Sequence, residues 1–258
     1  MKLGWIDSHA HIISERFEGE FETLKQNAIA HGVNKVCIIC GNLHEIEVAL
    51  SLVEKDDMFD LAVGVHPGNV KDISIGEFNA MMEYLHHPKV KFVGEIGLDY
   101  YWDQSFNELQ KEMFAMQIGF ANKFDLPIII HMRESSDDVY EIIKKHPVNK
   151  TGVAHCFTED VTSAKRFVEL GYYIGIGGIV TFKNGDNIRA LVKELPFDKL
   201  LSETDSPYLT PVPYRGKRNE PAYVSYVGEE IAKLKNLPID TVQKQLKDNY
   251  EKLSKRSV

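Results

Sequence analysis

The sequence predicts a (β/α)8 TIM barrel on three observations. Apolar runs of strand length alternate with helix-spaced apolar positions through eight units. The length, 258 residues, suits one large α/β barrel. No linker, low-complexity segment or repeat divides the chain, so a single domain is expected over 1–258. A doubly wound open sheet is the structural alternative. It would be favoured by a Gly-rich phosphate loop after the first strand, and there is none.

The first strand is read from Leu3-Gly4-Trp5-Ile6, running into Asp7-Ser8-His9-Ala10-His11. Alternate side chains of a strand share a face, which sets Asp7, His9 and His11 against Ser8 and Ala10. Phe21, Leu24, Ala28 and Ile29 are spaced for a helix that Gly32 ends. Val33 to Cys40 is the second strand, and Leu43, Ile46, Leu50 and Val53 mark its helix. Leu61 to Val65 is the third, closing on His66-Pro67, with Ile75, Phe78, Met82 and Leu85 after it. Val90 to Ile96, the fourth, carries Glu95 and leads to a long helix with Leu109, Met113, Met116 and Phe120. The fifth, Pro127 to Ile130, ends at His131 and precedes a short helix with Val139, Ile142 and Ile143. The sixth, Thr151 to Ala154, ends at His155, and Val161, Ala164, Phe167 and Val168 follow. Tyr172 to Ile176, the seventh, runs into the glycine turn at 175–178, before Ile188, Leu191 and Val192. Lys199 to Ser202, the eighth, opens onto Glu203-Thr204-Asp205. An irregular stretch, Ser206 to Pro221, precedes helices marked by Val224, Val227, Ile231 and Leu234 and by Val242, Leu246, Tyr250 and Leu253.

The 43% hydrophobic and 26% charged residues describe a chain with a sizeable core. No run approaches the roughly 18 apolar residues of a membrane-spanning helix. No signal-peptide pattern opens the chain, and no obligate protein partner is evident. Three cysteines, an odd number, argue against a disulfide framework and for the reducing cytoplasm. Cys37 and Cys40 are three apart on a strand and face opposite sides, and Cys156 is out of phase with His155, so all three read as packing residues. The formal charge of −8 argues against a broad basic surface for duplex DNA. It leaves phosphate chemistry open, because bound divalent ions bring positive charge of their own.

In a barrel the chemistry gathers at the rim where strands end. Five of the ten histidines fall there: His9, His11, His66, His131 and His155. Each alone is more simply a capping or loop histidine. With Glu95 and Asp205 they suffice for two divalent ions, and Glu95, with two oxygens, is the natural bridge. Mixed nitrogen and oxygen donors suit Zn, Mn, Fe or Co, with Mg a weaker fit to so many imidazoles. Arg133, two beyond His131, is an anion contact or a surface salt bridge. The loop Tyr214 to Asn219 puts Arg215, Lys217 and Arg218 on the same rim, shaped by Gly216 and flanking prolines, and suits phosphate. Tyr100, Tyr101 and Trp102, after Asp99, are core or stack a base at the mouth.

The blocks Asp7-Ser8-His9-Ala10-His11, Gly94-Glu95-Ile96-Gly97-Leu98-Asp99-Tyr100, His131-Met132-Arg133, His155-Cys156-Phe157 and Glu203-Thr204-Asp205-Ser206-Pro207-Tyr208 stand in this order. Together they resemble the TatD family of metal-dependent deoxyribonucleases, from residue 3 to about the last helix. The opening His-x-His belongs to the whole amidohydrolase superfamily; the Glu95 and Asp205 blocks together are the specific part. The resemblance implies two divalent ions (Zn, Mn or Mg), one held by His9, His11 and Asp205 and the other by His131 and His155, with Glu95 bridging. It implies hydrolysis of DNA phosphodiester bonds, often as an exonuclease, with Asp205 and Glu95 as catalytic carboxylates. Asp205 would orient the attacking water and take its proton. Arg133, Arg215 and Lys217 would offset phosphate charge, and His66 would hydrogen-bond the phosphate or the leaving oxygen. Asp7 and Glu203 would support the ligands from behind. The acidic net charge points to single strands or frayed ends. The alternative is an amidohydrolase-type enzyme acting on a small ester, amide or phosphoester. Many of those carry a carbamylated lysine on the fourth strand, where this chain has Glu95. A non-catalytic metal-binding scaffold is the remaining rival, and the intact ligand set speaks against it.

Overall fold

The computed structural model describes residues 3–256; Met1, Lys2, Ser257 and Val258, the ends of the expected 1–258 span, lie outside the described residues. Its strands are β1 (Trp5–Ala10), β2 (Val33–Cys40), β3 (Phe59–Val63), β4 (Val90–Asp99), β5 (Ile128–Arg133), β6 (Gly152–Ala154), β7 (Tyr173–Ile176) and β8 (Leu200–Ser202). They form one sheet in sequential order, each pair parallel. Ala10 bridges Ser206, and the Ser202 hydroxyl donates to the Ile6 carbonyl at 2.7 Å, which brings β8 back to β1 as a barrel. Strands covered on both faces read as continuous apolar runs, which is why the sequence shows them so plainly.

The helices between them are α1 (Phe21–Ala30), α2 (Leu43–Val53), α3 (Ile75–Glu83), α4 (Asn107–Lys123), α5 (Ser136–Lys145), α6 (Val161–Glu169), α7 (Asp186–Glu194) and α8 (Val224–Lys235), followed by α9 (Ile239–Ser254). Asn42, Ser74 and Asp160 cap α2, α3 and α6 by accepting from a backbone N–H three residues on, so each turns the chain off the rim at a fixed point. No described helix is long and apolar enough to cross a membrane.

The core has two layers. One lies between strands and helices and includes Cys40; the other fills the barrel and includes Ile6, Cys37, Phe92, Ile129 and Leu201. The two cysteines thus face opposite sides, and burial pushes both thiols well above the usual range. Tyr250 and Leu253 of α9 join the inner layer. The Tyr250 hydroxyl donates to Asp60 at 3.0 Å, and the Asn249 amide donates to the carbonyl of Leu200, the first residue of β8, at 2.8 Å. α9 therefore floors the barrel at the end where its strands begin.

Two irregularities prepare the opposite end. Asp7 pairs with Val36 and Ala10 with Ile38, so three steps on β1 answer two on β2. Val93 pairs with Ile128 and Ile96 with Ile130, the same mismatch between β4 and β5. Such bulges re-aim the side chains within them, and here they hold His9 and Glu95. β4 also runs on to Asp99, and β5 to Arg133, beyond the bounds expected from the apolar runs. Gly97 lets them stay together: at φ 138° its backbone is in a region L-residues avoid, and a Cβ would lie 2.1 Å from the His131 carbonyl oxygen. Gly97→Ala is expected to destabilise the barrel by about 1–3 kcal/mol or more. Thermal melting should show a drop on the order of 5 °C or more. An unchanged melting temperature would mean that the strand yields there without cost.

Candidate metal centre

Glu95 stands at the centre of the strand-end rim, 4% exposed. Its two oxygens face different rings. Oε2 lies 3.4 Å from Nε2 of both His9 and His11. Oε1 lies 2.7 Å from His155 Nε2 and 2.7 Å from His131 Nδ1. Asp205 Oδ1 is 3.8 Å from His9 Nε2 and 3.6 Å from His11 Nε2. The N–H of Asp205 donates to the His9 carbonyl at 2.9 Å, and that of His11 to the Ser206 carbonyl at 2.8 Å. These bonds splice the exit of β8 onto β1. Asp205 itself sits in the left-handed region at φ 56°, which an Asp tolerates better than most residues.

The ligand atoms of His9, His11 and Glu95 lie close enough together to hold one cation, as do those of His9, His155 and Asp205 and those of Glu95, His131 and His155. Nε2 of His9 and Nε2 of His11 approach to 3.1 Å, close enough to share a proton or to be bridged by a cation. Burial opposes charge on His11, His131 and His155, yet the neighbouring carboxylates outweigh it and push all three up. Burial among the other rings pulls His9 well down. Burial would raise Glu95, but the surrounding imidazoles hold it well below the usual carboxylate range. Burial pushes Asp205 up to about 6. Imidazole and carboxylate donors converging on points that attract positive charge fit divalent metal of the Zn, Mn or Co type.

Glu203, fully buried, lies behind His155, with Oε1 3.7 Å from the ring's Nδ1. It accepts a short hydrogen bond from the Cys156 N–H and another from the Ser8 hydroxyl at 3.5 Å. Gly175 makes room for it, since a Cβ there would come within 2.4 Å of Glu203 Oε2. Glu203→Gln is expected to weaken metal affinity about 10–100-fold, measured by competition with a chelator of known affinity. Unchanged affinity would reduce Glu203 to a packing role.

Asp7 departs from the expected shared face. Its carboxylate accepts from the Thr204 N–H at 2.9 Å and hydroxyl at 2.7 Å, and it joins none of the metal-ready groups among the described residues. Burial lifts it to about 8. The bulge after Asp7 breaks strict alternation, and Ser8, expected on the far side, reaches Glu203 instead. Asp7 thus ties β1 to the end of β8.

Asp99 is the site residue that sequence reasoning missed. Its Oδ2 is 3.0 Å from His131 Nε2, fixing the ring whose other nitrogen meets Glu95, and it groups with His66 and His131. The available signal was phase: Glu95, Gly97 and Asp99 alternate along one strand. His66 lies 3.8 Å from Glu95 Oε1 through Nε2, while its Nδ1 accepts from the Gly68 N–H at 3.0 Å. Burial pushes His66 down to about 4. The neutral ring therefore keeps its proton on Nε2, as a donor facing the cluster.

The cations differ in freedom. Arg133 stacks 3.6 Å above the Tyr101 ring, Arg215 3.8 Å above Phe182, and Lys217 lies 5.4 Å from the Tyr214 ring. All three are exposed. Arg218 is committed to Glu20, at 2.5 and 2.8 Å. Asn219 is fully buried and donates to the Thr204 and Tyr208 carbonyls at 2.9 and 2.6 Å, which shapes the loop from 206 to 221.

A family model described as TatD related DNase matches residues 6–255. YabD of Bacillus subtilis (strain 168), named an uncharacterized metal-dependent hydrolase, is 39% identical over 248 residues, covering 96% of this chain and 97% of its own. YcfH of Escherichia coli K12, named likewise, is 34% identical over 252 residues, covering 96% and 94%. The crystal structure of YjjV, a TatD homolog from Escherichia coli K12, superimposes with a TM-score of 0.92 at 32% identity, over 96% of this chain and 97% of that one.

Proposed function

Because the chain belongs to the TatD-related DNase family of metal-dependent hydrolases, we propose that it is a single-domain deoxyribonuclease, an exonuclease that cleaves phosphodiester bonds at single-stranded or frayed DNA ends with two divalent ions, Zn, Mn or Mg. The observation that carries this reading is Glu95, whose oxygens divide two histidine sets beneath a rim bearing exposed Arg133, Arg215 and Lys217. A rival enzyme of the same fold that acts on an uncharged ester or amide would not need those cations. The free cysteines of this chain suit the cytoplasm.

His9, His11 and Asp205 would hold one ion, His131 and His155 the other, and Glu95 both. Bound there, divalent ions supply Lewis acidity toward the phosphoryl oxygen and the attacking water. The protein's own groups do the rest. Asp205 orients the water and accepts its proton at a carboxylate oxygen. His66 donates from Nε2 to a phosphate oxygen or to the leaving oxygen. Arg133, Arg215 and Lys217 offset the phosphate charge as the strand settles. Glu203 and Asp99 keep His155 and His131 aimed.

The test is degradation of 3′- and 5′-labelled single-stranded DNA by metal-stripped protein with Mg, Mn or Zn restored, beside Asp205→Ala. Metal-dependent cleavage that the variant loses is the expected result, and the two ladders give polarity. No cleavage with any ion, accompanied by turnover of a small ester, amide or phosphoester, would overturn the nuclease reading in favour of the smaller substrate.

A further inference from the structure

Among the described residues, the exposed aromatic side chains are Tyr101, Trp102 and Tyr208, at 48%, 71% and 49% exposure. All follow the ends of strands on the metal rim, the first two after β4 and the third after β8. In a barrel ordered β1 to β8, those two strands stand across the mouth from each other. Each aromatic site carries an arginine from the next strand round the ring. Arg133, ending β5, lies 3.6 Å from the Tyr101 centroid and 5.5 Å from that of Trp102. Arg16, in the loop after β1, lies 5.1 Å from the Tyr208 centroid.

Both sites are tied to the centre. The Tyr101 N–H donates to Asp99 Oδ1 at 3.0 Å, and Asp99 Oδ2 meets His131 at 3.0 Å. The Tyr208 N–H donates to the Asp205 carbonyl at 2.9 Å. Rings beside guanidinium groups at fixed distances from a phosphate-cleaving centre suit a flexible strand. An unstacked base lies on the ring and its phosphate meets the arginine. A duplex keeps its base faces covered and cannot use them.

We propose that Tyr101–Trp102 with Arg133, and Tyr208 with Arg16, are two base-stacking posts, and that a single strand crosses the mouth with one base on each side of the scissile phosphate. This rests on the nuclease reading and names the form of its substrate: a strand with bases on both flanks, not an isolated phosphodiester.

Tryptophan emission tests it directly. The chain has two tryptophans. Trp5 is 4% exposed, so a ligand stacking at the rim reports through Trp102. Mg-loaded protein is titrated with a phosphorothioate-linked oligothymidylate, which resists cleavage, and with a chain of the same phosphates whose residues are abasic. Saturable quenching by the first and not by the second is expected. With a fluorescein-labelled oligothymidylate read by anisotropy, Trp102→Ala and Tyr208→Ala should each raise Kd about tenfold. Circular dichroism confirms that both variants fold. Absence of quenching, or equal affinity for base-bearing and abasic chains, overturns the posts whatever the cleavage assay gives. Quenching without cleavage under any metal keeps the posts and overturns the nuclease instead.

Discussion

Glu95→Ala is expected to abolish turnover while leaving the barrel folded. The residue is the only acid whose two oxygens face both histidine sets among the described residues, with His9 and His11 on one side and His131 and His155 on the other. Its removal takes a ligand from each proposed ion at once and leaves four crowded rings without the charge that draws cations in. Losing one electrostatic stabiliser of a transition state costs on the order of 10²–10³ in kcat, and losing the bridge should exceed about 10³. Elemental analysis after dialysis should show metal content falling with activity, and circular dichroism should show the native helix signal. Near-normal activity would sink the two-ion assignment.

Asp205→Asn is expected to cost a comparable factor, at least about 10³ in kcat, with KM little changed. Asparagine is the informative replacement. It keeps the shape of the side chain, and it tolerates the left-handed backbone at φ 56° that alanine would strain. The bonds that splice this segment to His9 and His11 come from the backbone and survive the change. What goes is the negative charge and the ability to accept a proton. Single-turnover cleavage of a labelled strand separates the chemical step from binding. A variant that binds DNA weakly but cleaves it at the normal rate would reassign Asp205 from proton acceptor to substrate anchor.

The barrel was legible because its strands are covered on both faces. Runs such as Pro127 to Ile130 then have no polar interruption, and the helix-spaced positions between them leave little freedom of topology. The histidines and acids of the rim were legible because strand ends converge there. What alternation could not reveal was where alternation fails. The bulge between Asp7 and Ala10 sends Asp7 to Thr204 and Ser8 to Glu203, and the one between Val93 and Ile96 sets Glu95 at the centre. Bulges depend on the partner strand's register, a non-local fact. Asp99 was hidden by the apolar run's apparent end at Ile96, since β4 continues past it. Arg218 is claimed by Glu20, far away along the chain, and Asn219 by Thr204 across an irregular loop, and no local pattern announces either pairing.

The helix that floors the barrel sets the order of assembly. α9 follows every strand, yet Tyr250 and Leu253 belong to the layer inside the ring. A nascent chain that has released β8 from the ribosome still has an open floor, with Asp60 lacking the Tyr250 hydroxyl. Strand by strand, synthesis yields a partial barrel that water can still enter from below. Closure of the barrel therefore waits for α9. Until α9 docks, the growing polypeptide exposes apolar strand faces of the kind that chaperones shield.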